Sequence, residues 1–184
     1  MEAAPLPTVP FPDLLDESVE PQLSESATPE SESDAPVPVA TPAVGPTGDL
    51  ASKVAELRSS DAGSRELECL AVGIYFESKS EPLAGQLAVG QVIANRANSG
   101  HRFPPSYCGV LFQRGQFSFV RAGSWPTVKR SSRQWQNAVA IARIVDQDLH
   151  ESPVGNALFF HARYVSPGWR LKRVAAIGNH IFYR

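Results

Sequence analysis

Residues 83–98 read Leu-Ala-Gly-Gln-Leu-Ala-Val-Gly-Gln-Val-Ile-Ala-Asn-Arg-Ala-Asn, and this stretch constrains the fold more than any other. Leu87, Ala88, Val89, Val92, Ile93 and Ala94, with the small Ala84, Gly85 and Gly90, leave almost no polar face. A helix of this kind must be wrapped by other elements, so it is predicted to run through the middle of a core. Gly90 lets a neighbour approach closely, and Asn98-Ser99-Gly100 stops the helix.

The wrapping elements are legible on both sides. Upstream, Ser64 and Glu66 suit a helix N-terminus, and Leu67, Leu70, Ala71, Ile74 and Ser78 follow on one face. Pro82 ends that helix, because the residue before proline is pushed out of α geometry. Before it, Leu50, Val54 and Leu57 mark a short helix over residues 49–60 behind an Asp49 cap. Downstream, Ser131 or Ser132 caps a helix with the apolar set Trp135, Ala138, Val139, Ala142, Val145 and Leu149. Residues 101–130 have no helical period and many Pro, Gly, Arg and aromatic residues, a composition typical of a functional loop. Short strands are predicted there at residues 110–112 and 116–120. Residues 157–161 and 178–183 read as aromatic strands separated by turns around Pro167-Gly168. The expected fold is α+β, mostly helical with a small antiparallel sheet.

Composition sets the domain boundary. Residues 1–50 hold ten of the sixteen prolines and ten acidic residues but no Lys or Arg, a formal charge of −10. Residues 51–184 hold all 17 basic residues and nine acidic ones, a formal +8. Residues 1–48 bury too little apolar surface to offset chain entropy and are expected to be a disordered acidic tail or tether. The folded domain is then residues 49–184. The chain contains no apolar run of about 18 residues, so stable membrane insertion is not expected. Its first residues, Met1-Glu2-Ala3-Ala4-Pro5, lack the basic start and apolar stretch of a secretory signal. The protein is therefore expected either to be cytoplasmic or to begin after a removed export segment. The +8 domain calls for an anionic partner: nucleic acid, a membrane surface or an acidic wall polymer.

Two cysteines, Cys69 and Cys108, lie in the folded part. They read equally as one disulfide in an oxidising compartment or as two buried thiols. Of the acidic residues, Glu77 sits at the border of the apolar stripe of its helix, beside Tyr75 and Phe76. A partly desolvated carboxyl holds a proton near neutral pH, which is what a general acid requires. A solvated helical Glu is the plain alternative. Glu81, one turn on, is read as pairing with Lys79 or Arg96, or as holding the helix end. The histidines at 101, 150, 161 and 180 match no metal-ligand spacing, although His161 and His180, both on predicted strands, could meet side by side. The chain has no nucleophile elbow, phosphate-binding loop or dinucleotide fingerprint.

Glu68-Cys69-Leu70-Ala71, Ile74-Tyr75-Phe76-Glu77-Ser78-Lys79-Ser80-Glu81-Pro82, Gly85-Gln86-Leu87-Ala88-Val89 and Val92-Ile93-Ala94-Asn95-Arg96 together resemble the catalytic domain of SleB/CwlJ-type cell-wall hydrolases. The likeness continues through Tyr107-Cys108-Gly109-Val110, Gly115-Gln116-Phe117-Ser118-Phe119, Ala157-Leu158-Phe159-Phe160-His161 and Ile177-Gly178-Asn179-His180-Ile181-Phe182-Tyr183. It implies a lysozyme-like scaffold and a lytic transglycosylase that cleaves peptidoglycan between N-acetylmuramic acid and N-acetylglucosamine, without metal or cofactor. It implies Glu77 as the catalytic acid and Glu81 as a possible second acid or supporting group. Ser78-Lys79-Ser80 departs from the Ala-Arg-Gly usual between them. Tyr75, Gln116, Phe117, Ser118, His161, Asn179 and His180 are expected to line a sugar groove. The resemblance favours a Cys69–Cys108 disulfide and a monomer in the periplasm or at the wall, with peptidoglycan rather than nucleic acid as partner. Two other readings stay open: a metal-dependent amidase or peptidase using His161 and His180, and a wall-binding module without catalysis.

Overall fold

The computed structural model describes residues 49–184. The expected acidic tail, residues 1–48, lies outside the described residues. The elements are α1 (Leu50–Leu57), α2 (Arg65–Ser78), α3 (Leu83–Ala97), a 3-10 turn (Gly100–Arg102), α4 (Tyr107–Phe112), α5 (Arg133–Asp146), β1 (Phe159–Ala162), β2 (Arg173–Ile177) and β3 (His180–Tyr183).

As its sequence requires, α3 is enclosed: Leu87, Ala88, Val89, Val92 and Ile93 are at most 1% exposed. It packs against α2, α4 and α5, while α2 also packs against α5 and α4. Two glycines permit the closest crossings. A Cβ on Gly73 would stand 2.6 Å from the Ile93 Cδ1, and one on Gly90 would stand 2.9 Å from the Ile74 Cδ1. Serine caps start three helices, with Ser64, Ser106 and Ser132 accepting from the backbone N–H of Leu67, Gly109 and Trp135. Trp135 is fully buried and its indole N–H donates to the Ser60 carbonyl at 2.9 Å, tying α5 to the α1–α2 link.

A disulfide joins Cys69 on α2 to Cys108 on α4. The three strands form an antiparallel sheet in the order β1-β3-β2, with β3 in the centre.

Several expectations need correction. Residues 110–112 belong to helix α4, which starts where Ser106 caps the backbone after Pro104-Pro105. Residues 116–120 are turns, held locally by bonds such as Gln116 N–H to the Gln113 carbonyl at 3.2 Å. Strand β2 was not expected. It is an edge strand with a register irregularity between Arg173 and Ala175, and its Ala175-Ala176 core lacks β-branching. Asp49 makes no side-chain cap on α1; its carbonyl accepts from Ser52 and Lys53 instead.

Candidate active site

Glu77 lies in the last turn of α2, half-buried among aromatic side chains. Tyr75 meets Phe76 edge-on at 5.1 Å, and Phe76 stacks on Phe119 at 4.6 Å. The turns of residues 113–120 are thereby folded over the end of α2, and Phe117, 4% exposed, packs 5.7 Å from Phe119. Desolvation raises the Glu77 pKa to about 7, against the opposing pull of Arg96. The carboxyl is therefore partly protonated at neutral pH while part of its surface still reaches solvent.

Arg96, on α3, is the counterpart. It is 6% exposed, and burial lowers its pKa to about 10, with Glu77 opposing, so it remains a cation. Its Nε donates to the Leu158 carbonyl at 2.8 Å, and its guanidinium lies 5.1 Å from the Phe103 ring centre and 6.0 Å from those of Phe117 and Phe159. Among the described residues the direct ion pairs both fall on Glu68, with Arg65 and Arg130, so Arg96 acts on Glu77 through space. Arg96 thus bridges α3, the aromatic turns and the sheet. A charged residue in an otherwise apolar helix was the sequence signal for it, but its partner could not be read along the chain.

Glu81 is 8% exposed and fully occupied. Its Oε2 accepts the Asn179 backbone N–H at 2.9 Å, and its Oε1 accepts the Asn179 side-chain amide at 3.0 Å. The β2–β3 turn fits the carboxylate closely: Gly178 has φ +55°, and a Cβ there would stand 1.8 Å from Oε2. Glu81 therefore fastens the sheet to the α2–α3 junction rather than pairing with Lys79 or Arg96. Lys79 instead lies over Tyr75, 4.9 Å from its ring centre.

The two strand histidines do not meet. In the β1–β3 register His161 pairs with Ile181 and Ala162 with His180, which puts the imidazoles on opposite faces of the sheet. Both His161 nitrogens are engaged, Nδ1 with the Ala162 carbonyl at 2.8 Å and Nε2 with the Tyr183 hydroxyl at 2.9 Å. His180 is 8% exposed and edge-on to Phe160. Burial lowers its pKa, with His161 adding to the shift and Glu81 opposing it. This arrangement offers no shared metal position, contrary to the amidase or peptidase reading.

Of the other expected groove residues, Gln116 is half-buried and Ser118 and Asn179 are exposed. Trp169 was not expected. Its ring lies 6.0 Å from Phe159, 5.6 Å from His161 and 5.9 Å from Tyr183, forming an aromatic shelf on one face of the sheet. A cavity of about 470 Å³ between α3 and the α5–β1 connection, lined by Gln91, Leu149, His150 and Ser152 among others, contains none of the expected site residues.

A family model described as Cell Wall Hydrolase matches residues 80–183, more than half of the chain. The chain belongs to the cell wall hydrolase family. The matched span takes in Glu81, Arg96, the aromatic turns and the sheet, and it begins three residues after Glu77. The hydrolase is 33% identical over 121 residues to a spore cortex-lytic enzyme of Oceanobacillus iheyensis, covering 64% of this chain and 41% of that protein. It is 31% identical over 122 residues to one of Bacillus subtilis, covering 65% and 37%. The chain thus spans about two fifths of the length of these relatives.

Two solved structures match at domain level. The catalytic domain of the Bacillus cereus SleB protein superposes with a TM-score of 0.51 at 30% identity, covering 65% of this chain and 89% of that one. That of the germination-specific lytic transglycosylase SleB of Bacillus anthracis gives 0.53 at 30% identity, covering 66% and 96%.

Proposed function

We propose that this hydrolase is a peptidoglycan lytic transglycosylase that cleaves the N-acetylmuramic acid to N-acetylglucosamine linkage, with Glu77 as its single acid and base. The observation that carries this reading is the desolvated Glu77 carboxyl, raised to about 7, at the accessible end of α2. The protonated carboxyl donates to the departing glycosidic oxygen as the C1–O bond breaks. The resulting carboxylate takes the proton of the muramic C6 hydroxyl as O6 bonds to C1, closing a 1,6-anhydro ring and restoring the acid. The buried Arg96 cation supports the interval in which Glu77 is ionised.

Hydrolysis with two acids needs a second free carboxylate about 5 to 9 Å from the first. Both oxygens of Glu81 are committed to Asn179, which favours the one-acid route. The likeness to the two SleB catalytic domains supports the same reading. The Cys69–Cys108 disulfide suits work in an oxidising space at the wall, and the domain is proposed to act there as a monomer.

Mass spectrometry of muropeptides released from purified sacculi tests the proposal. Wild-type protein should leave 1,6-anhydro-muramic ends, and Glu77→Gln should release almost none. Equal release by the two proteins would overturn the assignment.

A further inference from the structure

From Ser152 to Arg184 the chain has no acidic residue but five basic ones, Arg163, Arg170, Lys172, Arg173 and Arg184, all exposed. Lys172, Arg173 and Arg184 come together at one corner of the sheet, and Arg170 stands two residues before Lys172. Arg173 pairs with Tyr183 across β2 and β3, and the Arg184 backbone N–H donates to the Lys172 carbonyl at 3.0 Å. Arg170 follows Trp169 directly. This corner borders the shelf of Trp169, Tyr183 and His161, which continues through Phe159 to the Arg96 guanidinium, 6.0 Å from the Phe159 ring centre, and so toward Glu77.

At least four of the nine acids after residue 50 have hydrogen-bond or ion-pair partners away from the corner. Glu66 accepts the Cys108 backbone N–H, Glu68 pairs with Arg65 and Arg130, and Asp146 accepts the Tyr107 hydroxyl. Glu81 holds Asn179, while Asp148 and Glu151 line the cavity beside α3. Among the described residues no acidic side chain forms an ion pair with the corner. Like charges gathered without a counter-ion repel one another, so they raise the local affinity for an anion.

We propose that Arg170, Lys172 and Arg173 form an anion subsite that binds the carboxylates of stem peptides attached to the glycan strand, so that the hydrolase selects peptide-bearing over peptide-stripped strands. The inference rests on the glycan-cleaving function proposed above. Peptide carboxylates are favoured over a phosphate polymer because a polymer joined through the muramic C6 hydroxyl would block the ring closure proposed above, whereas the stem peptide leaves that hydroxyl free.

Binding of the Glu77→Gln protein to soluble glycan strands, measured by calorimetry, tests the subsite without requiring turnover. Four ligands separate the sources: strands released from sacculi by cutting the peptide cross-links, the same strands stripped of peptides by an amidase, which leaves only the lactyl carboxylate on each muramic residue, strands freed of phosphate polymer by acid, and strands freed of both. Amidase treatment should weaken binding about tenfold, the loss expected for removing one or two charge-assisted hydrogen bonds. Adding Arg170→Gln, Lys172→Gln and Arg173→Gln should weaken binding to peptide-bearing strands to the same degree and leave binding to peptide-stripped strands unchanged. The difference should shrink as ionic strength rises. Equal binding before and after amidase, or a loss only on acid treatment, would overturn the subsite. Selective binding without turnover by the wild type would instead overturn the catalytic reading and leave the subsite standing.

Discussion

At the scale of single residues, Glu77 carries opposed demands. Its pKa is raised from 4.5 to about 7, so the folded protein binds the proton more tightly than the unfolded chain does. Stability is therefore fully present below pH 4.5 and declines as pH climbs through 7, at a cost of about 3 kcal/mol once both states are ionised. Glu77→Gln removes that ionisation. The variant should unfold at a higher temperature than wild type at pH 8 and at a similar one at pH 4, by calorimetry across pH. The same pKa sets the rate: kcat/KM should fall about tenfold per pH unit above 7 as the general acid is lost. A pH profile flat from 6 to 9 would contradict this. The edge position of Glu77 on its apolar stripe was readable in the sequence, because burial follows helical spacing. The contribution of Arg96 was not, because it depends on a through-space approach between helices.

Between elements, the links matter more than the elements. The Glu81–Asn179 contact is the most exacting. Gly178→Ala would drive a methyl into the Glu81 carboxylate and hold a non-glycine residue at φ +55°. We expect a loss of about 2–4 kcal/mol by denaturant unfolding, with a lowered kcat in the fraction that folds. The Cys69–Cys108 disulfide closes a sequence separation of 39 residues between α2 and α4. Reducing it should cost about 4 kcal/mol in the chain-entropy picture, visible as a lower Tm with reductant.

The helices of this scaffold were largely legible, because their apolar spacing and the caps at Ser64 and Ser132 act locally. Helix α4 was not, since six residues rich in Val, Leu and Phe favour a strand by composition and become helical only when packed on α2 and α3. Strand β2 is illegible in the sequence for the converse reason. Its hydrogen bonds to β3, rather than its own alternation, make it a strand. The same register keeps His161 and His180 apart, although the sequence allowed them to meet, because one residue of offset inverts a side chain's face.

For the whole molecule, the segregation of charge read from the sequence implies a division of labour. Residues 1–48 carry no site residue and are proposed to act as a tether. Deleting them should leave turnover of soluble glycan fragments within about twofold of wild type; a large loss would refute that role. The order β1-β3-β2 has a different consequence. Both outer strands hydrogen-bond to β3 and not to each other. Asn179, the donor to Glu81, arrives immediately before β3. The sheet and the Glu81 clamp thus both depend on β3, so they should open together, with amides of β1, β2 and Asn179 exchanging at a common rate.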